Sequence, residues 1–373
     1  MSGRQVLVTG GAGFLGSHMV DALLRAGHEV SIFDSLEPQV HAAGFPEYLR
    51  GEFEFIRGDM RDLDAVRRAV RHQEVVFHLA AAVGVGQSMY EIAHYMGANT
   101  QGTANLLQAL LDARADIAKL VVASSMSIYG EGRYLCEECG EVAPPPRPQS
   151  QLSAKQWETQ CPNCARALTP VPTDEAKPLQ CTSIYALSKK DQEEMCLLFG
   201  RTYNVPTVAL RYFNIYGTRQ ALSNPYTGVA AIFASRLLNR RAPLIFEDGM
   251  QMRDFVSVHD VARANLLAME RSEADGHAFN VGSGEPISIR EVAAVLAEEM
   301  DIRLPAEITG QYRAGDIRHC FADISAARKL LGYEPTHSFR NGVGELVAWL
   351  RSQSAVDRAT EAVQQLRAYG LTA

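Results

Sequence analysis

Short apolar segments alternate with amphipathic segments through the first half of the chain. The apolar segments predict strands at residues 5–8, 29–33, 53–56, 75–78, 120–123 and 207–210, and the amphipathic segments predict helices at residues 14–25, 62–71, 99–113 and 183–203. Apolar strands that alternate with helices are typical of a parallel sheet covered on both faces. Residues 1–213 are therefore predicted to form a doubly wound α/β domain.

The alternation weakens in the second half of the chain. Helices are predicted at residues 229–240, 258–270, 288–300 and 324–331 and near the C-terminus, with loops and short strands between them. We interpret residues 214–373 as a smaller, mainly substrate-binding part that packs against the sheet. Residues 131–172 interrupt the first part, because they contain four cysteines and a segment with four prolines. We interpret them as an insertion.

The composition is that of an ordinary globular protein, since 47% of the 373 residues are apolar and 21% are charged. A net charge of -7 argues against nucleic acid or an anionic membrane as the main partner. No segment reaches about 18 consecutive apolar residues, so no transmembrane helix is predicted. Residues 1–8 lack the pattern of a signal peptide. Seven cysteines without an export signal indicate reduced thiols and a cytoplasmic location.

A glycine-rich turn joins the first predicted strand to the first predicted helix. Residues 9–16 read Thr-Gly-Gly-Ala-Gly-Phe-Leu-Gly, and the residues expected to contact a cofactor are Gly10, Gly13, Phe14, Leu15 and Gly16. Free backbone N–H groups at a helix N-terminus favour a pyrophosphate, and glycine lets the backbone approach it closely. Such a turn alone is weak evidence of binding, but the flanking elements favour a Rossmann-type dinucleotide site.

Side chains at the ends of the next strands extend this site. Asp34 ends the second strand, where a carboxylate binds the adenosine ribose hydroxyls and repels a 2′-phosphate. No Arg or Lys lies between Asp34 and Tyr48, so NAD is preferred over NADP. Further cofactor contacts are expected from Asp59, Met60, Leu79, Ala80 and Ala81, although Asp59 is also a candidate helix N-cap.

Tyr185 and Lys189 lie four residues apart at the start of the long helix 183–203, on one helical face. A tyrosine with a pKa of about 10 is a poor base, but a neighbouring ammonium and a cationic nicotinamide favour its phenolate. Ser125 and Ser127 follow the fifth strand, where such folds bind ligands. Either serine can hydrogen-bond a substrate oxygen or cap a turn. We predict Ser125, Tyr185 and Lys189 as catalytic, Tyr185 and Lys189 also as cofactor contacts, and Ser127 as substrate-binding.

Two C-x-x-C pairs in the insertion have the spacing of a metal site. They consist of Cys136 with Cys139 and Cys161 with Cys164, separated by 21 residues. Four thiolates can close a tetrahedral zinc site without leaving an open position. Two disulfides or free thiols are the alternatives, and a cytoplasmic setting disfavours disulfides. We predict a small zinc-ribbon-like insertion with a structural zinc ion.

These motifs, taken in order, resemble the extended short-chain dehydrogenase/reductase family and in particular its nucleotide-sugar epimerases. The resemblance covers most of the chain except the cysteine insertion and about the last twenty residues. It implies that Asn99 contacts the cofactor and that Asn214, Arg253, Arg313 and Asp316 bind a nucleotide-diphosphate sugar. It also implies a homodimer formed through the helices 99–113 and 183–203.

The residues after Ser125 favour one reaction within this family. Dehydratases of the family carry Asp and Glu there, and the decarboxylases keep the Glu, whereas this chain has Met126 and Ser127. The resemblance therefore implies epimerisation at C4 through a 4-keto intermediate.

The insertion is similar to that of the dTDP-L-rhamnose 4-epimerases, which make dTDP-6-deoxy-L-talose. We expect this substrate first and a UDP-glucose/UDP-galactose pair second. A non-catalytic NAD-binding regulator is a further alternative, but the intact Ser125, Tyr185 and Lys189 argue against it. A zinc-ribbon interaction protein is another, and the negative net charge argues against that one.

Overall fold

A computed structural model describes residues 3–114, 116–313 and 315–372. Its strands are β1 (Gln5–Thr9), β2 (Glu29–Asp34), β3 (Phe53–Arg57), β4 (Val75–His78), β5 (Lys119–Ser125), β6 (Arg133–Cys136), β7 (Gly140–Val142), β8 (Thr169–Val171), β9 (Thr207–Tyr212), β10 (Asn214–Tyr216), β11 (Leu244–Ile245), β12 (Met252–Ser257), β13 (Ala278–Val281), β14 (Pro286–Ser288) and β15 (Glu307–Ile308). Its α-helices are α1 (Phe14–Arg25), α2 (Leu63–Ala69), α3 (Val85–Ser88), α4 (Ile92–Tyr95), α5 (Gly102–Asp112), α6 (Gln149–Ser153), α7 (Ile184–Tyr203), α8 (Val229–Leu238), α9 (Val258–Glu270), α10 (Ile289–Glu299), α11 (Phe339–Leu350) and α12 (Ala359–Ala368).

Within the described residues, seven strands form one parallel sheet in the order β13-β9-β5-β4-β1-β2-β3. The central strands are apolar and buried, as a sheet covered on both faces requires. Helices α1 and α9 pack together on one face, and α2, α5 and α7 pack on the other. The predicted doubly wound α/β fold is confirmed. The chain reverses direction across the sheet between β1 and β4, which is where such folds bind ligands.

A second core lies beside the sheet and is built by α8, α10, α11 and the sheet β10-β12-β14. Phe233, Phe255, Leu296 and Val343 are among its buried side chains. The domain limits 1–213 and 214–373 stay predictions. Residues 214–373 also contribute β13, an edge strand of the main sheet.

The insertion forms a small antiparallel sheet in the order β7-β6-β8. Its core is small and consists of Tyr134, Cys136, Cys161 and Leu168. A unit with so few buried side chains needs a further source of stability.

Several helices differ from their predicted limits. The helix predicted at 99–113 begins earlier, as a π-helical segment Met96–Gln101 that continues into α5. The helix predicted at 324–331 includes the π-helical turn Ala327–Leu331, and it ends at Gly332, whose φ of 70° suits glycine. None of the helices in the described ranges is both long and apolar enough to cross a membrane.

Candidate active site

One deep cleft opens at the carboxyl edge of the main sheet and encloses about 680 Å³. Within the described residues it is lined by most of the predicted site residues, namely Gly10, Gly13, Phe14, Leu15, Gly16, Asp34, Asp59, Met60, Leu79, Ala80, Ala81, Ser125, Ser127, Tyr185, Lys189, Asn214, Arg253, Arg313 and Asp316. These residues are distant in sequence, and the parallel sheet brings them together because its strands end at the same edge.

The glycine turn has the close packing that a pyrophosphate cradle needs. Gly10 has a φ of 70°, and a Cβ placed there would lie 2.8 Å from the backbone of Ala80. A Cβ on Gly16 would lie 2.1 Å from the carbonyl oxygen of Gly10. Helix α1 starts after Gly13 without a side-chain cap from the described residues, so its first N–H groups are free to bind an anion.

The two acidic residues of the cofactor side make local contacts. Asp34 accepts hydrogen bonds from the backbone N–H of Ala12 at 3.1 Å and of Leu36 at 2.9 Å. These bonds hold the end of β2 against the glycine turn. Asp59 pairs with Arg61 at 2.6 Å, which lowers the pKa of Asp59. The N-cap of α2 is Asp62 and not Asp59.

Asn99 is fully buried next to the cleft and is not among the described residues that line it, and its contact with the cofactor stays a prediction. Its Oδ1 accepts from the backbone N–H of Ala82 at 2.7 Å. Its Nδ2 donates to the carbonyl of Ala82 at 3.1 Å and to the hydroxyl of Ser188 at 2.9 Å. Asn99 therefore ties the loop after β4 to helix α7 and positions the wall.

Tyr185 and Lys189 both lie on the buried face of α7 and line the cleft. The helix begins at the N-cap Ser183, which accepts from Ala186, and the backbone N–H of Tyr185 donates to Ser88 at 2.9 Å. Burial raises the pKa of Tyr185, while the hydroxyl of Ser125 acts in the opposite direction. Burial lowers the pKa of Lys189 to about 7.

A buried polar chain holds Lys189 in place. Its Nζ donates to Oε1 of Gln192 at 2.8 Å, and the Gln192 amide lies 3.2 Å from the ring of His78 and 2.9 Å from Thr103. His78 also bonds Thr9 at 2.9 Å and is fully buried, so it is a packed strand residue. Gln192 was not predicted from the sequence. The sequence feature that could have indicated Gln192 is its position, since it lies about one helical turn after Lys189 on the same face of α7.

Ser125 and Ser127 lie together at the end of β5. Their Oγ atoms are 2.8 Å apart, and the N–H of Ser127 donates to Ser125 at 3.2 Å. Ser125 thus caps the short 3₁₀ turn Met126–Tyr129 while it lines the cleft. The two predicted roles, turn cap and ligand contact, are therefore compatible for Ser125. Neither of the two residues after it carries an acid.

Polar groups on the opposite wall are suited to a phosphorylated ligand. The Oδ1 of Asn214 is buried without a hydrogen-bond partner in the described residues. Arg253 donates only to the carbonyls of Met252, Ile317 and Arg318, at 2.7 to 2.8 Å, so no carboxylate compensates its charge in the described part of the chain.

Arg313 and Asp316 contact each other. They form an ion pair at 2.8 Å, and the Arg313 guanidinium lies over the ring of Phe246 at 4.8 Å. Asp316 therefore orients Arg313 toward the cleft. Ala314, between them in the predicted motif, lies outside the described residues.

The four cysteines of the insertion form one cluster. Their sulfur atoms all lie within 4.8 Å of one another, and the Sγ atoms of Cys136 and Cys164 are 3.5 Å apart. All four thiols are free, and this separation is longer than the roughly 2.0 Å of a disulfide. These four cysteines are therefore not joined by disulfides in this structure.

Buried ion pairs connect the insertion to the wall that carries Arg313. Arg147 of the insertion pairs with Glu247 at 2.8 Å and donates to the carbonyl of Asp316 at 3.2 Å. The fully buried Arg318 pairs with the same Glu247 at 2.9 Å and with Glu158 of the insertion. This link was not predicted, because ion pairs between distant segments leave no local pattern in the sequence.

Comparison with known proteins agrees with this geometry. The model of the NAD dependent epimerase/dehydratase family matches residues 6–157 and 161–282. The chain is 32% identical to a dTDP-L-rhamnose 4-epimerase of Burkholderia thailandensis, over 95% of this chain and 96% of that protein. It is also 32% identical to a UDP-glucose 4-epimerase of Mycolicibacterium smegmatis, over 94% of this chain and 99% of that protein.

A solved structure of similar architecture is the UDP-glucose 4-epimerase of Thermus thermophilus in complex with NAD. It superimposes with a TM-score of 0.75 at 31% identity and covers 93% of this chain and 99% of that chain. The similarity thus extends over both parts of the fold.

Proposed function

The chain belongs to the NAD dependent epimerase/dehydratase family and is an NAD-dependent nucleotide-sugar 4-epimerase, and we propose that its substrate is dTDP-L-rhamnose, converted to dTDP-6-deoxy-L-talose. The observation that supports the reaction is the cleft itself, which Tyr185, Lys189 and Ser125 line together with the glycine turn. The relative from Burkholderia thailandensis supports the choice of sugar.

The proposed proton transfer belongs to Tyr185. Its phenolate removes the proton from the sugar 4-hydroxyl, so the C4–O bond becomes a carbonyl when the C4 hydride leaves. NAD held by the glycine turn and Asp34 would supply an oxidised ring that accepts the C4 hydride, and once the keto sugar has turned in the cleft it would return the hydride to the other face of C4. On return, Tyr185 donates its proton to the oxygen, and the sugar leaves with C4 inverted. The enzyme is unchanged after each cycle.

Two neighbours prepare Tyr185 for this role. Lys189, held by Gln192, places an ammonium on the same helical face, and positive charge favours the phenolate. Ser125 presents a hydroxyl to the substrate oxygen and keeps its own geometry through Ser127.

The residues after Ser125 support epimerisation over elimination or decarboxylation. Those reactions need a further acid or base beside the keto sugar. Met126 is apolar, and Ser127 has a hydroxyl that is not ionised at neutral pH.

Substrate binding is proposed for the opposite wall. Arg253 has an uncompensated charge within the described residues, and a guanidinium donates two parallel hydrogen bonds to phosphate oxygens. Asn214 offers a buried carbonyl oxygen that has no partner in the same part of the chain, and Arg313 closes over the nucleotide from the other side.

We also propose that the insertion holds a structural zinc ion. Zinc–sulfur bonds of about 2.3 Å in a tetrahedron separate the sulfurs by about 3.8 Å. The Cys136, Cys139, Cys161 and Cys164 cluster fits this spacing. Zinc would supply the stability that the small core of the insertion lacks, and four cysteine ligands would leave no position for substrate.

UDP-glucose/UDP-galactose epimerisation is the second candidate, because a UDP-glucose 4-epimerase is as similar to the chain as the dTDP-L-rhamnose enzyme. The test is a panel of dTDP-L-rhamnose, UDP-glucose, UDP-N-acetylglucosamine and UDP-glucuronate with the NAD-loaded protein, with products identified by NMR. We expect dTDP-6-deoxy-L-talose with the highest kcat/KM. Faster conversion of UDP-glucose would overturn the proposed substrate, and no conversion of any sugar would overturn the proposed reaction.

A further inference from the structure

The last residues of the chain cover the cleft. Helix α12 contributes Ala359, Ala362, Val363 and Leu366 to its lining, and Leu371 follows. We call residues 359–372 the C-terminal lid. They lie in the part of the sequence that the family resemblance did not cover, so the family motifs do not account for them.

The lid is attached to both walls of the cleft. On the wall of the main sheet, Tyr369 stacks on Tyr90 at 4.7 Å with an interplanar angle of 3°, and Gln365 accepts from Tyr90 at 3.1 Å. Gln365 also accepts at 2.5 Å from Tyr226, whose hydroxyl bonds that of Tyr90, and on the opposite wall Thr372 donates to the carbonyl of Tyr312 at 2.9 Å. These contacts place the lid across the mouth of the cleft.

The lid is close to the reactive end. A Cβ on Gly86 would lie 3.2 Å from Leu366, so the Leu366 side chain rests on helix α3. The same helix supports Tyr185, because Ser88 accepts from the backbone N–H of Tyr185 at 2.9 Å. In addition, Tyr95 bonds Gln87 at 3.0 Å and packs edge-on against Tyr185. Helix α3 therefore lies between Leu366 and the backbone of the residue that carries the proposed base.

Aliphatic side chains line the cleft on the lid and on the segment after β4, although Leu366 itself is only 5% exposed. Val83, before α3, and Val85, its first residue, line the cleft and are 53% and 42% exposed, which is unusual for residues of this type. Val363 lies on the same face of α12, and neither charged residue of this helix, Glu361 or Arg367, lines the cleft. The Gln365 amide oxygen beside Leu366 already accepts from Tyr90 and Tyr226, so the aliphatic lining favours a methyl group over a hydroxyl or carboxylate that would need a partner of its own.

We propose that the C-terminal lid closes the reactive end of the cleft and that its aliphatic face, centred on Leu366, selects sugars with a methyl group at C6 over sugars with a C6 hydroxyl. This inference rests on the proposed function, because it assigns the lid to the sugar of a nucleotide-sugar epimerase. Leu366 is a specificity residue here and takes no part in proton transfer.

The test compares nucleotides that differ only at C6. The pairs are dTDP-L-rhamnose with dTDP-L-mannose, and UDP-6-deoxyglucose with UDP-glucose. For each pair we measure the ratio of kcat/KM values and the ratio of dissociation constants in the NAD-loaded protein. We expect wild type to favour the 6-deoxy member of each pair, and Leu366→Ser to reduce that preference by roughly 10-fold. Equal kcat/KM values and equal dissociation constants for the two members of each pair in wild type would overturn the proposal. The same holds if Leu366→Ser keeps the wild-type ratios.

Control variants separate specificity from folding. Gln364→Ser changes an exposed residue of the same helix that does not line the cleft, and it should keep the wild-type ratio. Leu366→Met keeps an apolar side chain of similar size and should also keep it. Val363→Ser is a second polar probe at a less buried position, and it should lower the ratio even if Leu366→Ser does not fold.

The two readouts distinguish failure of the lid from failure of the function. Binding ratios do not require turnover, so they test the lid even when a nucleotide is not epimerised. A 6-deoxy preference within the UDP pair alone would support the lid and contradict dTDP-L-rhamnose as substrate. Turnover of dTDP-L-rhamnose with no C6 preference in any variant would support the function and contradict the lid.

Discussion

Burial disfavours the charged forms of two side chains of helix α7, the phenolate of Tyr185 and the ammonium of Lys189. Tyr185 must lose a proton to act as the proposed base, yet burial raises its pKa. Lys189 favours that loss only while it is charged, and burial lowers its pKa to about 7. A cationic cofactor ring next to Tyr185 favours the phenolate, so we infer that proton transfer depends on bound NAD.

Tyr185→Phe tests the proposed base. The ring remains and the proton acceptor is lost, so turnover should fall at least roughly 100-fold while NAD stays bound. Stopped-flow assays and NAD content after gel filtration measure the two effects. Tyr203→Phe, at the exposed end of the same helix, is the control and should retain activity. Wild-type turnover in Tyr185→Phe would show that another group removes the proton.

His78 predicts a particular loss of stability in acid. Burial, with a smaller effect of the Lys189 charge, lowers its pKa to about 3 from an ordinary value of 6.5. Below pH 6.5 the unfolded chain binds a proton that the folded chain does not, so the free energy of unfolding falls as pH falls. For one proton the limiting slope is about 1.4 kcal/mol per pH unit.

Urea titrations between about pH 6.5 and about pH 5 measure this slope. His78→Asn should flatten it, because the variant has no imidazole to protonate on unfolding. His72→Asn removes an exposed histidine at a φ of 64° that asparagine tolerates, and it serves as the control. A slope in His78→Asn equal to that of wild type would mean that His78 is protonated in the folded protein.

Residue spacing was enough to predict most of the cleft lining but not the roles of all its neighbours. Tyr185 and Lys189 were found because a four-residue spacing places them on one face of a helix. Asn99 is predicted to contact the cofactor, and it bonds Ala82 and Ser188 next to the cleft. The sequence cannot distinguish these two roles, since both require a buried amide at the same edge of the sheet.

At the scale of secondary structure, strong periodicity predicted the elements well, and pairing between distant segments could not be predicted. The central strands and α1 are apolar over most of one face, and their predicted limits agree to within about two residues. Strand β13 has only four residues, and its pairing with β9 is what identifies it. The link between the insertion and Arg318 also depends on long-range contacts.

Cys136→Ser tests the insertion as an element. We expect loss of bound zinc and a lower melting temperature, since one ligand of four is removed. Because Arg147 connects the insertion to Glu247 and Asp316, the KM for the sugar nucleotide should rise more than kcat falls. Metal analysis, calorimetry and steady-state kinetics measure these effects.

Cys181→Ser is the matched control, because Cys181 lies outside the cluster and, within the described residues, bonds only the carbonyl of Ile128. Absence of zinc from reduced wild-type protein would contradict the metal site. Equal stability of Cys136→Ser and wild type would contradict its structural role.

At the scale of the whole molecule, α5 and α7 leave large apolar side chains on the surface. Leu111, Leu187, Leu198 and Tyr203 are 40 to 56% exposed on these two helices. Leu187 and Leu198, 11 residues apart, lie on the same face of α7, and exposed apolar side chains that share a face are typical of a subunit interface. This supports the expected homodimer through a four-helix bundle, which stays a prediction.

Leu198→Glu should convert the dimer to a monomer, because it places a charge in the proposed apolar interface. Light scattering after size exclusion gives the mass, for which a single chain is 40.9 kDa. Val356→Glu changes a residue of similar exposure in the segment before the C-terminal lid and should leave the mass unchanged. A monomeric wild type, or a Leu198→Glu dimer, would contradict the interface.

The transfer of hydride at C4 can be followed directly with a label. Incubating the NAD-loaded protein with dTDP-L-rhamnose that carries deuterium at C4 tests whether the same hydride leaves and returns. We expect dTDP-6-deoxy-L-talose with deuterium retained at C4, observed by NMR, because hydride held on the cofactor does not exchange with water. Inverted product whose C4 deuterium has been replaced by solvent hydrogen would contradict this chemistry at Tyr185 and the cofactor site.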